Sequence, residues 1–507
     1  MRSALKRFGN RDGLLFLLLL FLIILLRVFV LKDFAFKYTD SDQVLMWQGL
    51  KDYSAGEFHE PRFYGQAYNS MLESFLAVPF YKAGMPSYKA LPVITSILAL
   101  FPFVLISILV FLKKSTRLAL LILSIPLVLP TEYSLITSLA RGFITGIFLC
   151  SFACLGMFYP KSKTAFLLCF FLAVLGFSAN ANAALLAFPC LTYLFVENTR
   201  NKSFYLFAAI GTIAGLIIHF SANYFYVIHP FYNVHAYQFT FSFSDLFASL
   251  SEPGLYFNDV TPFFWKTGVL SLFMFFFLAF RLYRKKENKK AIIVALVPFL
   301  ILLTLGINKV HDGQNSVYFS FSRMYLAIPV LLAFILSWFH PIKDSNLFYF
   351  YLLIPFASFG YQAATLDKII QPAVDPLVYK GVTATKVDSV YIKCNLLNTV
   401  CAENKVDLIL IVEHDENEFY NYGCSSCVEN FPNTLRPASD RRTWRYSEDE
   451  NKIYHNILVI DSKRNYTTEF PFIKQSPANT GFYLIENNTK PTMELINSLG
   501  IWCRPYK

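Results

Sequence analysis

The 507-residue chain is 55% hydrophobic and 18% aromatic, against roughly 45–50% apolar content in ordinary soluble domains. Its formal charge of +11 would suit nucleic acid. However, the basic residues gather at the ends of apolar runs, as in Lys113, Lys114 and Arg117, or Arg281, Arg284, Lys285, Lys286, Lys289 and Lys290. That is the positive-inside pattern, so the charge reports membrane topology and argues against nucleic acid as a partner.

In chain order, a basic N-terminus with Arg2, Lys6, Arg7 and Arg11 precedes the apolar run 13–31, which has no small-residue cleavage site. This predicts a retained first span with a cytoplasmic N-terminus, then a first outer loop over 32–88. Further apolar runs fall at 93–112, 118–130, 143–159, 165–177, 183–196, 204–220, 263–280, 291–307, 324–338 and 347–361. Threading them alternately puts the basic runs on one side and predicts about eleven spans in a multi-pass integral membrane module. The segment 221–261, rich in aromatics, reads as an outer loop along the membrane surface.

Past residue 362 the composition becomes that of a soluble domain. The runs 387–392, 406–412, 456–460 and 480–485 are β-like, and 493–499 is helical, predicting a small extracytoplasmic α+β domain over 363–507 beside a membrane module over 1–362. Cys150, Cys154, Cys169 and Cys190 lie in apolar runs and read as core residues. Cys394, Cys401, Cys424, Cys427 and Cys503 lie in the polar part, where disulfides are expected outside the cytoplasm. The Cys424-Ser-Ser-Cys427 spacing has no second CxxC or His pair to make a zinc site.

The densest polar and acidic text near a membrane boundary is 38–79. Asp40 and Asp42 stand two apart, so in an extended segment their carboxylates converge on one point. The pair suits a base that takes a proton from an acceptor hydroxyl, or two ligands of a divalent metal, with metal-free function equally open. Capping of a helix over 43–53 is the local alternative, which needs one aspartate only. Gln66, Asn69 and Glu73 then fall at i, i+3 and i+7, predicting a polar stripe on a helix. A carboxylate such as Glu73 beside apolar residues is costly unless it is paired or functional. Glu132 follows Pro130 at another outer boundary and is a second candidate acid for the same cavity. Arg323 and Arg141 each begin a span on the outer side, where a guanidinium would meet a lipid phosphate through paired hydrogen bonds or simply snorkel to headgroups. His229, His235 and His311 have no ligand spacing and read as loop residues.

GEF (56–58), FYGQAY (63–68) and MLESFLAVPFYKAG (71–84) follow the Asp-bearing loop, and SRMYLAIP (322–329) comes later. Together they resemble membrane glycosyltransferases of the GT-C superfamily, in particular bacterial members related to polyprenyl- or dolichyl-phosphate-mannose protein mannosyltransferases. The layout matches over about 14–340 and the motifs over 38–84. The resemblance implies an inverting transfer of a sugar from a polyprenyl-phosphate donor to a glycan, lipid or protein acceptor on the outer face of a cell-envelope membrane, the bacterial inner membrane. It assigns the base or acceptor-orienting role to Asp42, with Asp40 as the alternative; Asp40 or Glu73 would assist. From the position and chemistry of the residues themselves, donor phosphate binding is expected at Arg323 and Arg141, and substrate contacts at Tyr64, Gln66, Tyr68, Asn69 and Glu132. Members often carry Glu after the aspartate and Gly after the YGQ-x-Tyr, where this chain has Gln43 and Asn69. Two other classes compete. A lipid-linked-sugar flippase or transporter would show repeated halves and helices broken at mid-membrane. A non-catalytic scaffold would only display the C-terminal domain.

Overall fold

The protein is described by a computed structural model that covers residues 10–232, 234–265, 267–314, 316–339, 346–375 and 384–504. The basic stretch 1–9 lies outside these. The described chain is mainly helical and divides into two compact units that do not follow chain order.

The first unit comprises Met1–Phe36, Pro92–Ser221 and Gln238–Ala384. Among the described residues, three helices, Arg11–Ala35, Ser87–Lys113 and Lys202–Ile228, are long and apolar enough to cross a membrane by length and composition. The first starts where Asn10 caps it, its side chain accepting from the Gly13 amide at 2.9 Å. Shorter apolar helices follow at Thr116–Val128, Thr145–Phe158, Lys163–Ala179, Ala181–Glu197 and Phe321–Leu336. The run 263–280 becomes helical only from Leu270, and Pro262 and Gly268 precede that start. Gly211 and Gly215 form a GxxxG pair, and a Cβ at Gly211 would stand 2.3 Å from the Leu167 carbonyl oxygen. Two helices are thus in backbone contact, the approach small residues permit where helices pack without a hydrophobic drive. Arg27, in the first helix, is 6% exposed and donates to the Ser134 carbonyl at 2.8 Å and to Thr137 Oγ1 at 3.1 Å.

The second unit comprises Lys37–Leu91, Ala222–Tyr237 and Thr385–Lys507. Strand β1 (Tyr38–Thr39) pairs antiparallel with β2 (Thr385–Lys386), so the first loop and the C-terminal part share a ladder. The main sheet uses β3 (Leu408–Glu413), β4 (Asn433–Leu435), β5 (Ile457–Asp461), β6 (Ile473–Gln475) and β7 (Phe482–Ile485) in the order β4-β3-β5-β7-β6. β3 is parallel to β4 and β5, while β5–β7 and β7–β6 are antiparallel. Its core gathers Leu408, Leu410, Ile457, Val459, Tyr483 and Ile485 against Leu495, Ile496 and Leu499 of the C-terminal helix region.

The expected strand 387–392 is instead the start of a helix, Val387–Glu403. Val387, Val390, Cys394, Leu397, Val400 and Cys401 are its buried residues, a helical spacing that a six-residue window is too short to reveal. One disulfide joins Cys394 to Cys424, so the CxxC pair is not closed on itself, and Cys401, Cys427 and Cys503 are free thiols.

Candidate functional site

Asp40 and Asp42 do not sit together on an extended segment. Asp40 has φ −138° and ψ 179° and is the N-cap of the Ser41–Ala55 helix, its side chain accepting from the Gln43 amide at 2.9 Å. Asp42 lies in the first helical turn, so the chain direction changes between the two. The local reason is the open amides of a new helix, which favour an oxygen at the cap and negative charge in the first turn. Asp42 Oδ1 meets Arg441 Nη1 at 2.5 Å. Alongside, Arg436 Nη1 meets Glu418 Oε1 at 2.7 Å. Burial disfavours the Arg441 cation, but Asp42 and Glu418 outweigh it and hold the guanidinium protonated. Asp42 thus belongs to a cluster of alternating charge, while Asp40 is buried against its own helix end.

The polar stripe expected from Gln66, Asn69 and Glu73 is not on one helix. Gly65 has φ +71° and Asn69 φ +65°, and the helix begins only at Leu72. Left-handed residues stop a helix from running through, and glycine reaches that region without strain. Gln66 instead forms a bridge with His235. The Gly65 carbonyl accepts from His235 N at 2.9 Å, and Ala67 N donates to the His235 carbonyl at 3.0 Å. Tyr68 packs edge-on against His235 and Tyr237. Asn69 Nδ2 reaches Gln66 Oε1 at 3.4 Å. Glu73 is fully buried in the first turn of the Leu72–Lys82 helix. Tyr64 is buried and donates to Asp52 Oδ2 at 2.9 Å.

In the first unit, Arg141 and Arg323 converge on one ring. Their guanidinium carbons lie 5.2 and 3.9 Å from the Phe319 centroid, within cation–π range of one ring. Arg141 donates to the Tyr318 carbonyl and Arg323 to the Ser320 carbonyl at 2.9 Å. Both are almost fully buried. Asn182 Nδ2 donates to the Arg323 carbonyl at 3.2 Å. Asn182, Met324 and Tyr325 then line an apolar cavity of about 440 Å³, with Phe177, Phe188, Phe239, Phe241 and Lys309 among its other walls. Ser320 also donates to Asp259 Oδ2 at 2.9 Å. Glu132 is half-buried in a short helix, Thr131–Ile136, and burial, with the Asp259 charge adding to it, raises its carboxyl above the usual range.

Sequence reasoning missed a second group. Asp52, near the end of the Ser41–Ala55 helix, is followed by the left-handed C-cap Gly56, with φ +86°, and the reversed chain brings Glu57 and His59 beside it. His59 Nε2 lies 4.0 Å from Asp52 Oδ2 and 3.7 Å from Glu57 Oε2. Burial pushes the Asp52 carboxyl up to about 6, against bonds from Tyr64 and Gln48, and lowers the His59 imidazole. These side chains line a polar cavity of about 360 Å³ with Gln48, Lys51, Arg442, Trp444, Arg445 and Glu448. The available signal was an acid and a histidine on either side of the GE in Asp52–His59; apart from Gln48 and Lys51, the other walls come from Ser425 to Glu448, far along the chain. Comparison with protein-family models and with curated proteins gives no match for this chain.

Proposed function

We propose that the chain is a multi-pass membrane glycosyltransferase that moves a sugar, with inversion, from a polyprenyl-phosphate donor to an acceptor hydroxyl. The observation that carries the reading is the pair of buried guanidiniums, Arg141 and Arg323, over the Phe319 ring, with the residues that follow Arg323, Met324 and Tyr325, lining an apolar cavity of about 440 Å³. An isoprenoid phosphate needs that combination, an apolar volume for the chain and a planar bidentate cation at its head. In the proposed reaction the acceptor oxygen attacks the anomeric carbon as the carbon–oxygen bond to phosphate breaks, and the bonding pair leaves on the polyprenyl phosphate. The hydroxyl proton passes to the Asp42 carboxylate. The leaving phosphate needs little protonation, so stabilisation of its charge by Arg323 and Arg141 is the larger contribution. Arg441 supplies positive charge next to Asp42, and the scheme runs without a metal at Asp40 and Asp42. The reading includes about eleven spans, a cytoplasmic N-terminus and an extracytoplasmic C-terminal part.

The test is transfer from a panel of radiolabelled polyprenyl-phosphate sugars by the purified full chain in nanodiscs. Asp42→Asn is expected to lower turnover by about 10²–10⁴-fold, the range of a lost general base, and Arg323→Met by about 10²–10³-fold, that of a lost charge-stabilising donor. Unchanged turnover in Asp42→Asn removes the base assignment. Movement of the lipid-linked sugar across proteoliposomes with no covalent product replaces the enzyme with a transporter.

A further inference from the structure

Asp52, Glu57 and His59 offer two carboxylates and an imidazole whose ligand atoms all lie within 4.8 Å of one another. We propose that these three residues form a binding site for a divalent transition-metal ion of the Zn²⁺ type. The proposal does not depend on the transferase reading.

Four observations carry it. A zinc ion sits about 2.0–2.2 Å from nitrogen and oxygen ligands, so two ligands on one ion are at most about 4.4 Å apart and about 3.4 Å apart in a tetrahedron. The His59–Asp52 and His59–Glu57 separations of 4.0 and 3.7 Å already fall inside the first limit. Rotation of the exposed Glu57 side chain, 61% accessible, supplies the remaining closure. Second, the buried carboxylate is oriented from behind, since Gln48 Nε2 donates to Asp52 Oδ1 at 2.7 Å and Tyr64 Oη to Oδ2 at 2.9 Å. Outer hydrogen bonds of this kind set the direction of metal-binding carboxylates. Third, the His59 ring lies flat on Trp444 at 4.2 Å and 10°, which holds the imidazole plane and keeps Nε2 toward the two acids. Fourth, all three residues line the polar cavity of about 360 Å³, which leaves room for water in the other coordination positions.

The cations of that cavity have acceptors of their own. Lys51 donates to the Ser425 carbonyl, Arg442 pairs with Asp440 at 2.9 Å and Arg445 with Asp449 at 2.7 Å. The donor set selects the ion. One nitrogen and two oxygens with space for water suit Zn²⁺, whereas Ca²⁺ takes six to eight oxygens.

The experiment is calorimetric titration of Zn²⁺ into the chelator-stripped full chain in detergent, with Ca²⁺ as the comparison ion. We expect one Zn²⁺ site per chain, a Kd at least 10-fold weaker in Glu57→Gln, and loss of the site in His59→Gln. Because Glu57 is exposed, its variant tests the site even where His59→Gln fails to fold. Absence of a one-to-one Zn²⁺ site overturns the proposal, as does an affinity equal to wild type in both variants, which would place the ion on cysteines or other histidines. Tighter binding of Ca²⁺ than of Zn²⁺ overturns the ion class.

Discussion

Arg442 is 5% exposed and Asp440 fully buried, and replacing Asp440 with Asn leaves a guanidinium inside the second unit without its counter-charge. Arg442 Nε donates to Asp440 Oδ1 at 3.1 Å, and its Nη2 to Oδ2 at 2.9 Å, to Asn421 Oδ1 at 2.6 Å and to the Thr434 carbonyl at 2.8 Å. Asp440 Oδ2 also accepts from Asn421 Nδ2 at 2.9 Å and from the Arg436 amide at 3.2 Å. In Asp440→Asn an NH₂ faces these donors. Breaking one side of a buried pair costs about 3–5 kcal/mol, and two lost charge-assisted bonds at about 1.5–3 kcal/mol each give a similar figure. The double variant Asp440→Leu/Arg442→Met removes both charges and should cost much less than the sum of the single changes. Hydrogen exchange on the full chain in micelles, read over 419–446, measures the opening free energy of this segment. A cost below about 1 kcal/mol for Asp440→Asn, or additive single changes, would refute the reasoning. The pair has a pH signature as well. Burial alone would raise the Asp440 carboxyl, but Arg442 and the other donors hold it below the usual range. A depressed folded value gives stability that is present above the unfolded value near pH 4 and lost as pH falls through the folded one, so protection over 419–446 should persist to below pH 4.

Burial pushes the Glu60 carboxyl up to about 8, against bonds from the Gly65 amide and Tyr226. Folding therefore favours its protonated form, and the second unit should lose stability as pH rises from about 4.5 to about 8, with a ceiling of roughly 5 kcal/mol; Glu60→Gln should flatten that slope in pH-dependent hydrogen exchange, and an unchanged slope would assign it to another group. Gly65→Ala places a Cβ at φ +71°, 2.9 Å from the Arg441 carbonyl oxygen. The expected loss is about 2 kcal/mol of stability, with weaker exchange protection around Arg441, and full protection there would show that the backbone yields without cost.

Elements with long apolar or periodic text were legible. The runs 93–112, 165–177, 183–196 and 204–220 coincide with helices, and three of the four soluble β-like runs coincide with β3, β5 and β7. What failed was short text whose outcome depends on a neighbour far along the chain. The 387–392 run is as compatible with a strand as with a helix until Cys401, nine residues on, completes its buried face. The stripe through Gln66, Asn69 and Glu73 had helical spacing, but Gly65 and Asn69 turn left-handed where residues 65–67 pair with His235, some 170 positions later. Local spacing cannot anticipate that bridge, because period describes a segment and says nothing of what crosses it.

The candidate acids show the same limit more sharply. Two aspartates at a spacing of two have one geometry in a strand and another across a helix start, and the choice decides whether they act together. Ser41–Ala55 is a helix, so Asp40 satisfies an amide that would otherwise be open, while Asp42, in the first turn, pairs with an arginine instead. Its partner, Arg441, belongs to the pair Arg441-Arg442, whose second member is held inside by Asp440. The backbone at this pair is therefore fixed by a buried interaction, and the half-buried Arg441 inherits that rigidity. A guanidinium anchored in this way costs less entropy to hold at 2.5 Å from a carboxylate than a free surface arginine would. For a carboxylate to take a proton from an acceptor, one of its oxygens must face away from such a partner. Arg441 engages Oδ1 of Asp42, so that oxygen is not the one through which the proposed chemistry would run.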